Sequence, residues 1–340
     1  MKFIVNRFRS AVTCLLVFVP LIGSAHHSRA TYSDEVRELE GELLSVIWRN
    51  PHPAFTLKTV TAEGQEEIWR IEAFGSVYLL GRTGVTRDRF KIGDHVKLAG
   101  RPSIRGPREF LGTHMLLSDG LEVILDMGGE SYWSGRYVGG GEEDLAYEGN
   151  VVDAAAESRG IFRVWSAPGG VAAERHYPFT AAAVDARATW DVLDNFVMRC
   201  EQPGMAFAMT APWPFEFIDR GDELIVRGSA WDVTRIIHMD GSEGSDAQAT
   251  SHFGYSTGHW EGNTLVVETT QMDWPYFDDI GTPLSEAAKI VERFTLSEDQ
   301  SRLDQQMTTT DPATFTESAT YERYWLALGE TVPAYDCQVF

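Results

Sequence analysis

"HFGYSTGHWEGNTLVVETT", residues 252–270, is the stretch whose reading decides the fold. Aromatic, β-branched and polar residues alternate on both sides of Glu261-Gly262-Asn263, the pattern of two antiparallel strands joined by a tight turn. The pattern continues outward in both directions. "FEFIDRGDELIVRG" (215–228) folds back at Arg220-Gly221-Asp222, so that triplet is turn chemistry, and "VTRIIHMDG" (233–241) follows. On the other side, "AKIVERFTLSEDQSRLDQQMTTT" (288–310) and "FTESATYERYW" (315–325) run up and down again. About eight strands with tight turns and one or two helices predict an antiparallel, lipocalin-like barrel over residues 159–340. The clearest helix is expected at 178–198, capped by Thr180.

The N-terminal part is also mostly β. "LEGELLSVIW" (39–48) alternates, "AFTLKTV" (54–60) follows a Pro-His-Pro break, and "EEIWRIEAF" (66–74) comes after a turn. "SVYLLGR" (76–82) reads as a short helix, and "KIGDHVKLAGRP" (91–102) and "EFLGTHMLLSDG" (109–120) return as strands. Five strands and one helix within residues 26–125 predict a small barrel like the oligonucleotide/oligosaccharide-binding (OB) fold. Residues 126–158, rich in glycine and acid, are expected to link the two domains.

Residues 1–25 have the three parts of a secretory signal. Lys2, Arg7 and Arg9 precede the apolar "AVTCLLVFVPLIG", and "GSA" supplies small residues for cleavage after Ala25. The apolar run is too short to span a bilayer and contains Pro20, so an exported periplasmic or secreted protein without stable membrane insertion is expected. Cleavage takes the formal charge from −21 to −24 by removing three cations. A surface this acidic repels phosphate backbones and disfavours nucleic acid as a partner. Two cysteines remain, Cys200 and Cys337, and in an oxidising compartment they are expected to pair.

Two segments carry a resemblance. "AHHSRATYSDE", "NPHPAFTL" and "KIGDHVKLAGRP" resemble an uncharacterised family of small exported bacterial proteins with His-His-Ser and Asn-Pro-His motifs. "RCEQPG", "IIHMDG", "GYSTGHWEGNTLVVETT" and "PLSEAAKIVERF" are similar to a second group of uncharacterised exported bacterial proteins. That group commonly has histidine where this chain has Tyr255 and Leu284, so any role of those histidines is altered here. The resemblances imply fold and export, and no reaction.

Two kinds of chemistry are expected. Cleavage after Ala25 makes His26 the N-terminus, where one residue offers an amine and an imidazole to a single ion. His27 and His52 complete a nitrogen-rich set, with His95 and His114 in reserve. Such a set suits copper or zinc. The plainer alternative is a polar leader and a turn.

In the second domain, Tyr255, Thr257 and His259 share one strand face. The loop "DWPYFDDIGTPLSEAA" (273–288) sets aromatics beside Asp278, Asp279 and Glu286. In the acid/base reading one of those carboxylates moves a proton, while Tyr255 or His259 donates to a developing oxyanion. The loop's aromatics equally suit a cap that closes the barrel with its own apolar side chains. Glu268 and Glu292 have apolar strand neighbours; pointing into the barrel, either would have its pKa raised by desolvation and suit acid/base work, while the plainer alternatives are a structural ion pair with Arg293 or Arg235 or a solvent-facing place on an edge strand. "GYSTG" has Gly-x-Ser-x-Gly spacing but lies in a strand, where no nucleophile elbow forms. Nucleotide-binding and His-Glu-x-x-His motifs are missing.

The leading expectation is an exported protein holding a small apolar or aromatic ligand in the C-terminal barrel, with cofactor-free isomerase, lyase or hydrolase chemistry. The alternative is a non-catalytic copper- or zinc-binding envelope protein using the N-terminal histidines. A purely structural envelope protein is the third.

Overall fold

The computed structural model describes residues 31–141, 149–156, 159–168, 177–191, 194–241 and 249–338. His26 and His27, with the expected leader, lie outside the described residues. The chain forms two β-barrels, the first closed and the second nearly so.

In the first barrel β1 (Arg37–Ile47), β2 (Ala54–Val60) and β3 (Glu66–Ala73) form a meander, and β4 (His95–Pro102) and β5 (Glu109–Leu116) complete the wall. The order is β3-β2-β1-β4-β5, and parallel pairing of β3 with β5 closes it. This is the OB arrangement, with α1 (Val77–Arg82) between β3 and β4 as that fold requires. Ser76 caps α1 by accepting the backbone N–H of Leu79 at 3.3 Å. Alternation in "AFTLKTV" turns Phe55 and Leu57 inward, onto a core with Leu43, Ile71, Leu98 and Phe110. Gly100 sits where β4 and β5 nearly touch; a Cβ there would fall 2.0 Å from the Leu111 carbonyl oxygen. β6 (Glu122–Ile124) pairs with β5, and β7 (Tyr137–Gly139), within the stretch read as a linker, pairs with β6. The helix α2 (Val151–Ala156) follows.

The second barrel has nine strands in the order β16 back to β8. They are β8 (Val164–Trp165), β9 (Phe215–Asp219), β10 (Glu223–Gly228), β11 (Thr234–His238) and β12 (Tyr255–Glu261), then β13 (Thr264–Thr270), β14 (Lys289–Leu296), β15 (Arg302–Thr310) and β16 (Ala319–Leu326). Only β11 and β12 run parallel within it. Reciprocal hydrogen bonds of 3.0 and 2.9 Å between Ser166 and Leu326 join its first and last strands. β8 is too short to show as a pattern, so the sequence suggests one strand fewer. Phe217, Val226, Ile237, Val267, Ile290, Phe294 and Trp325 fill the interior with Met205 and Met209, on and just after α4 (Met205–Ala208). The helix predicted at 178–198 is shorter: α3 spans Ala181–Thr189, capped by Thr180 accepting from Ala183 at 3.2 Å. It stops because Trp190 turns extended and packs against Gly281, where any Cβ would fall 2.2 Å from the indole.

The two barrels share an interface. Arg82 of α1 donates to the Ala167 carbonyl at 2.7 Å and lies 3.7 Å from Glu330, both side chains being buried. Tyr78 donates to the other Glu330 oxygen at 2.9 Å and packs on Trp213, in a cluster with Trp231 and Tyr335. The expected disulfide is present: Cys337 is bonded to Cys200, 137 residues away.

Candidate functional site

The turn between β1 and β2 carries Asn50-Pro51-His52-Pro53. The chain's own C-terminal segment holds Asn50 in place. Its backbone N–H donates to the Asp336 carbonyl at 3.3 Å, its carbonyl accepts from Gln338 at 2.8 Å, and its side-chain amide donates to the Tyr335 carbonyl. Past the prolines the ladder resumes at once, with Ala73 donating to the Pro53 carbonyl at 2.8 Å and Ala54 opposite Glu72. Phe55 points inward, so Ala54 and His52 lie on the outward face with Glu72.

The polar atoms here are poorly matched. His52 Nδ1, Glu72 Oε1 and Asn50 Oδ1 are all buried without a hydrogen-bond partner. The other Glu72 oxygen accepts from the Tyr32 hydroxyl at 3.1 Å. Burial, and then the Glu72 carboxylate, push the Tyr32 phenol well up, so it keeps its proton and donates. Tyr32 is itself anchored by a bridge to Ser103.

The reserve histidines are engaged elsewhere. His95 is exposed and 3.7 Å from Glu40, and His114 contacts the Thr113 hydroxyl and the Glu130 carbonyl, each at 2.9 Å. Among the described residues no three His, Cys, Asp or Glu side chains converge as a metal site.

The candidates in the second barrel divide between two places. Tyr255, Thr257 and His259 do share one face of β12, but it is the outer one, because Ser256 and Gly258 are the buried positions. Gly258 is confined by Ile237 and Met239, each 2.7 Å from where a Cβ would stand. Tyr255 stacks on His238 with 4.5 Å between ring centres, at the end of β12 where the 271–288 loop departs from β13. His259 lies four residues further along, about 13 Å at strand rise. It is exposed there, 3.2 Å from Glu261.

In the loop, Asp278 is a structural brace. It accepts from Arg187 at 2.8 Å, from the Thr282 hydroxyl at 2.5 Å, and from the backbone of Ile280 and Thr282. Asp279 is buried and Glu286 exposed. The loop's Phe277 packs edge-on to Tyr177 and Phe315, with centres 5.2 and 5.0 Å apart, capping this end of the barrel with its own rings.

The main polar feature inside the barrel draws on six strands, β11 to β16. Arg235 donates to Glu292 at 2.6 Å, to Ser256 at 3.0 Å and to Thr269 at 2.8 Å. Glu292 also accepts from Gln305 at 3.1 Å, and Trp325 donates to Gln305 at 2.9 Å. Alternation marked Glu292 as able to face inward and Arg235 as a possible partner; Ser256, Thr269 and Gln305 gave no such signal. Glu268 faces out and binds Lys289 at 2.6 Å. A cavity of about 20 Å³, lined by Met209, Trp213, Phe215 and Trp325, adjoins the network, room for about one water.

Residues 15–112 match a family of unknown function, DUF6152. The match covers β1 to β4 and the start of β5, so it includes Asn50-Pro51-His52, Glu72 and Tyr32. No curated protein matches the chain.

Proposed function

We propose that this is an exported, non-catalytic metal-binding protein in which His26, His27 and His52 hold one copper or zinc ion. The observation that carries the reading is the His52 ring, which makes no hydrogen bond among the described residues and has its Nδ1 buried. A buried imidazole nitrogen without a partner costs free energy, and supplying the electron pair to a metal removes that cost. Position supports the same reading. The Tyr32 hydroxyl rests on Glu72, two strand positions from His52, and only four residues separate Tyr32 from His27. Five Cα steps reach at most about 18 Å, so His27 is within range of His52. The resemblance of both halves to exported bacterial proteins supports the location.

An apolar ligand and acid/base chemistry in the second barrel have less support. The Arg235–Glu292 network occupies the interior, and the loop aromatics pack on one another. The deciding experiment compares Cu(II) binding by protein starting at His26 with the same protein extended by one N-terminal residue, and with His52→Ala. The native protein should bind most tightly. Equal binding by all three overturns the reading.

A further inference from the structure

We propose that the outer face of the second barrel binds a short, uncharged oligosaccharide across β14, β15 and β16. The inference stands apart from the metal reading and uses none of its residues.

The strand register lays out the surface. Glu292, Phe294, Gln305 and Trp325 point into the barrel, so the residues beside them in sequence point out. Pairing sets Arg293, Gln306 and Glu322 side by side in one row, and Thr295, Asp304 and Tyr324 in the next. A groove of about 510 Å³ runs over both rows and reaches Arg302. That volume falls within the range of about 300–1,000 Å³ in which small-molecule clefts lie. Three strands span about 10 Å, and the two rows stand about 7 Å apart along them, room for more than one sugar ring.

The charges around the groove are already matched. Arg302 donates through Nε and Nη2 to one Asp304 oxygen, at 2.8 and 2.6 Å, and Arg293 donates to Glu261 at 2.7 Å. The Gln306 amide donates to Glu322 at 2.6 Å. Neither arginine is left to attract an anion, and the remaining carboxylate is hydrogen-bonded, so the ligand that suits the groove is uncharged. What remains is hydrogen-bonding capacity. Among the described residues Arg293 Nη1, Gln306 Oε1, Glu322 Oε2 and the Tyr324 hydroxyl keep no protein partner. Along a row these groups stand about 5 Å apart and mix donors with acceptors. A hydroxyl does both, so a run of sugar hydroxyls satisfies such a row, whereas an apolar ligand would strand it. The bonds already made hold these side chains in place, which lowers the entropy lost on binding. Tyr324 supplies the apolar contact. The Arg302 guanidinium lies over its ring, 4.2 Å from the centre, and the ring is still exposed. An aromatic face carries partial negative charge, to which the C–H bonds on one side of a pyranose ring are complementary.

The test places the full mature protein on an array of neutral and acidic oligosaccharides, then titrates it by calorimetry with the best-bound neutral glycan. Neutral glycans should be retained, with affinity unchanged between about 0.05 and 0.5 M salt, because no charge is exchanged. Tyr324→Ala and Gln306→Ala should each weaken binding about tenfold. Lys289→Ala, on the same face of β14 but two rows away, should leave it unchanged, as should His52→Ala. If Tyr324→Ala does not fold, Gln306→Ala and Glu322→Gln carry the comparison. An array that retains only acidic glycans, or none, overturns the proposal. So does a neutral glycan whose binding none of the groove variants weakens.

Discussion

The backbone N–H of Gln338 donates to the carbonyl of Asn50 at 2.8 Å, one residue beyond the Cys200–Cys337 disulfide. The tail is thus a strap: covalently fixed to the second barrel, hydrogen-bonded to the β1–β2 turn of the first. Tyr335 strengthens it, buried between Trp213 and Trp231 and donating its backbone N–H to Asp232 at 3.0 Å.

Breaking that strap should cost stability and loosen the turn. Cys200→Ser/Cys337→Ser removes a cross-link closing a loop of 137 residues, worth about 2–4 kcal/mol. Denaturant unfolding should show that loss, and amide exchange at Asn50 and Gln338 should rise ahead of exchange in β1. Unchanged protection at Asn50 would mean that the tail does not hold the turn.

The buried pair in the second barrel should respond asymmetrically. Glu292→Ala leaves the Arg235 guanidinium without its counter-charge, a loss of about 3–5 kcal/mol. Arg235→Met/Glu292→Leu removes both charges and should cost clearly less than the sum of the single changes. Additive losses in a thermal or urea series would show that the two residues are not coupled.

Asp311 should set part of the acid sensitivity. Burial works to raise its carboxyl, but hydrogen bonds from the Ser285 backbone and hydroxyl, the Thr314 hydroxyl and the Ala313 backbone outweigh it and hold the group below its ordinary value. A carboxyl depressed in the folded state stabilises it fully above the unfolded pKa of about 3.9, and that contribution fades as pH falls through the folded value. Asp311→Asn should therefore be less stable at neutral pH and lose less on acidification below about pH 4. Parallel stability curves for the two proteins would contradict this.

The residues suggested for acid/base work should separate by burial. Asp278→Asn disturbs a carboxylate that braces Arg187 and the 280–282 turn, a loss of about 1–3 kcal/mol. His259→Ala and Glu286→Ala alter exposed side chains and should stay within about 0.5 kcal/mol. If those two abolish an activity while the fold is intact, the acid/base reading regains the lead over metal binding.

Period-two alternation and turn residues determined the strands, because side chains on a strand point to opposite faces whatever the rest of the chain does. Thr180 marked a helix start for an equally local reason, an oxygen placed to receive an orphan N–H. Which face is inside is a different matter. Val266 and Val267 are both buried, so the pattern around Glu268 is ambiguous, and it lies outside on β13; Glu292, between Ile290 and Phe294, lies inside on β14. Partners depend on pairing at a distance: Arg235 meets Glu292 across 57 residues, and Glu72 comes to lie opposite Ala54 only through the β2–β3 register. Alternation carries no information about register or barrel closure. Those are set by how two sheets close around their cores, and so the tertiary structure alone decided that His52 and Glu72 share a face with their acceptors unmet.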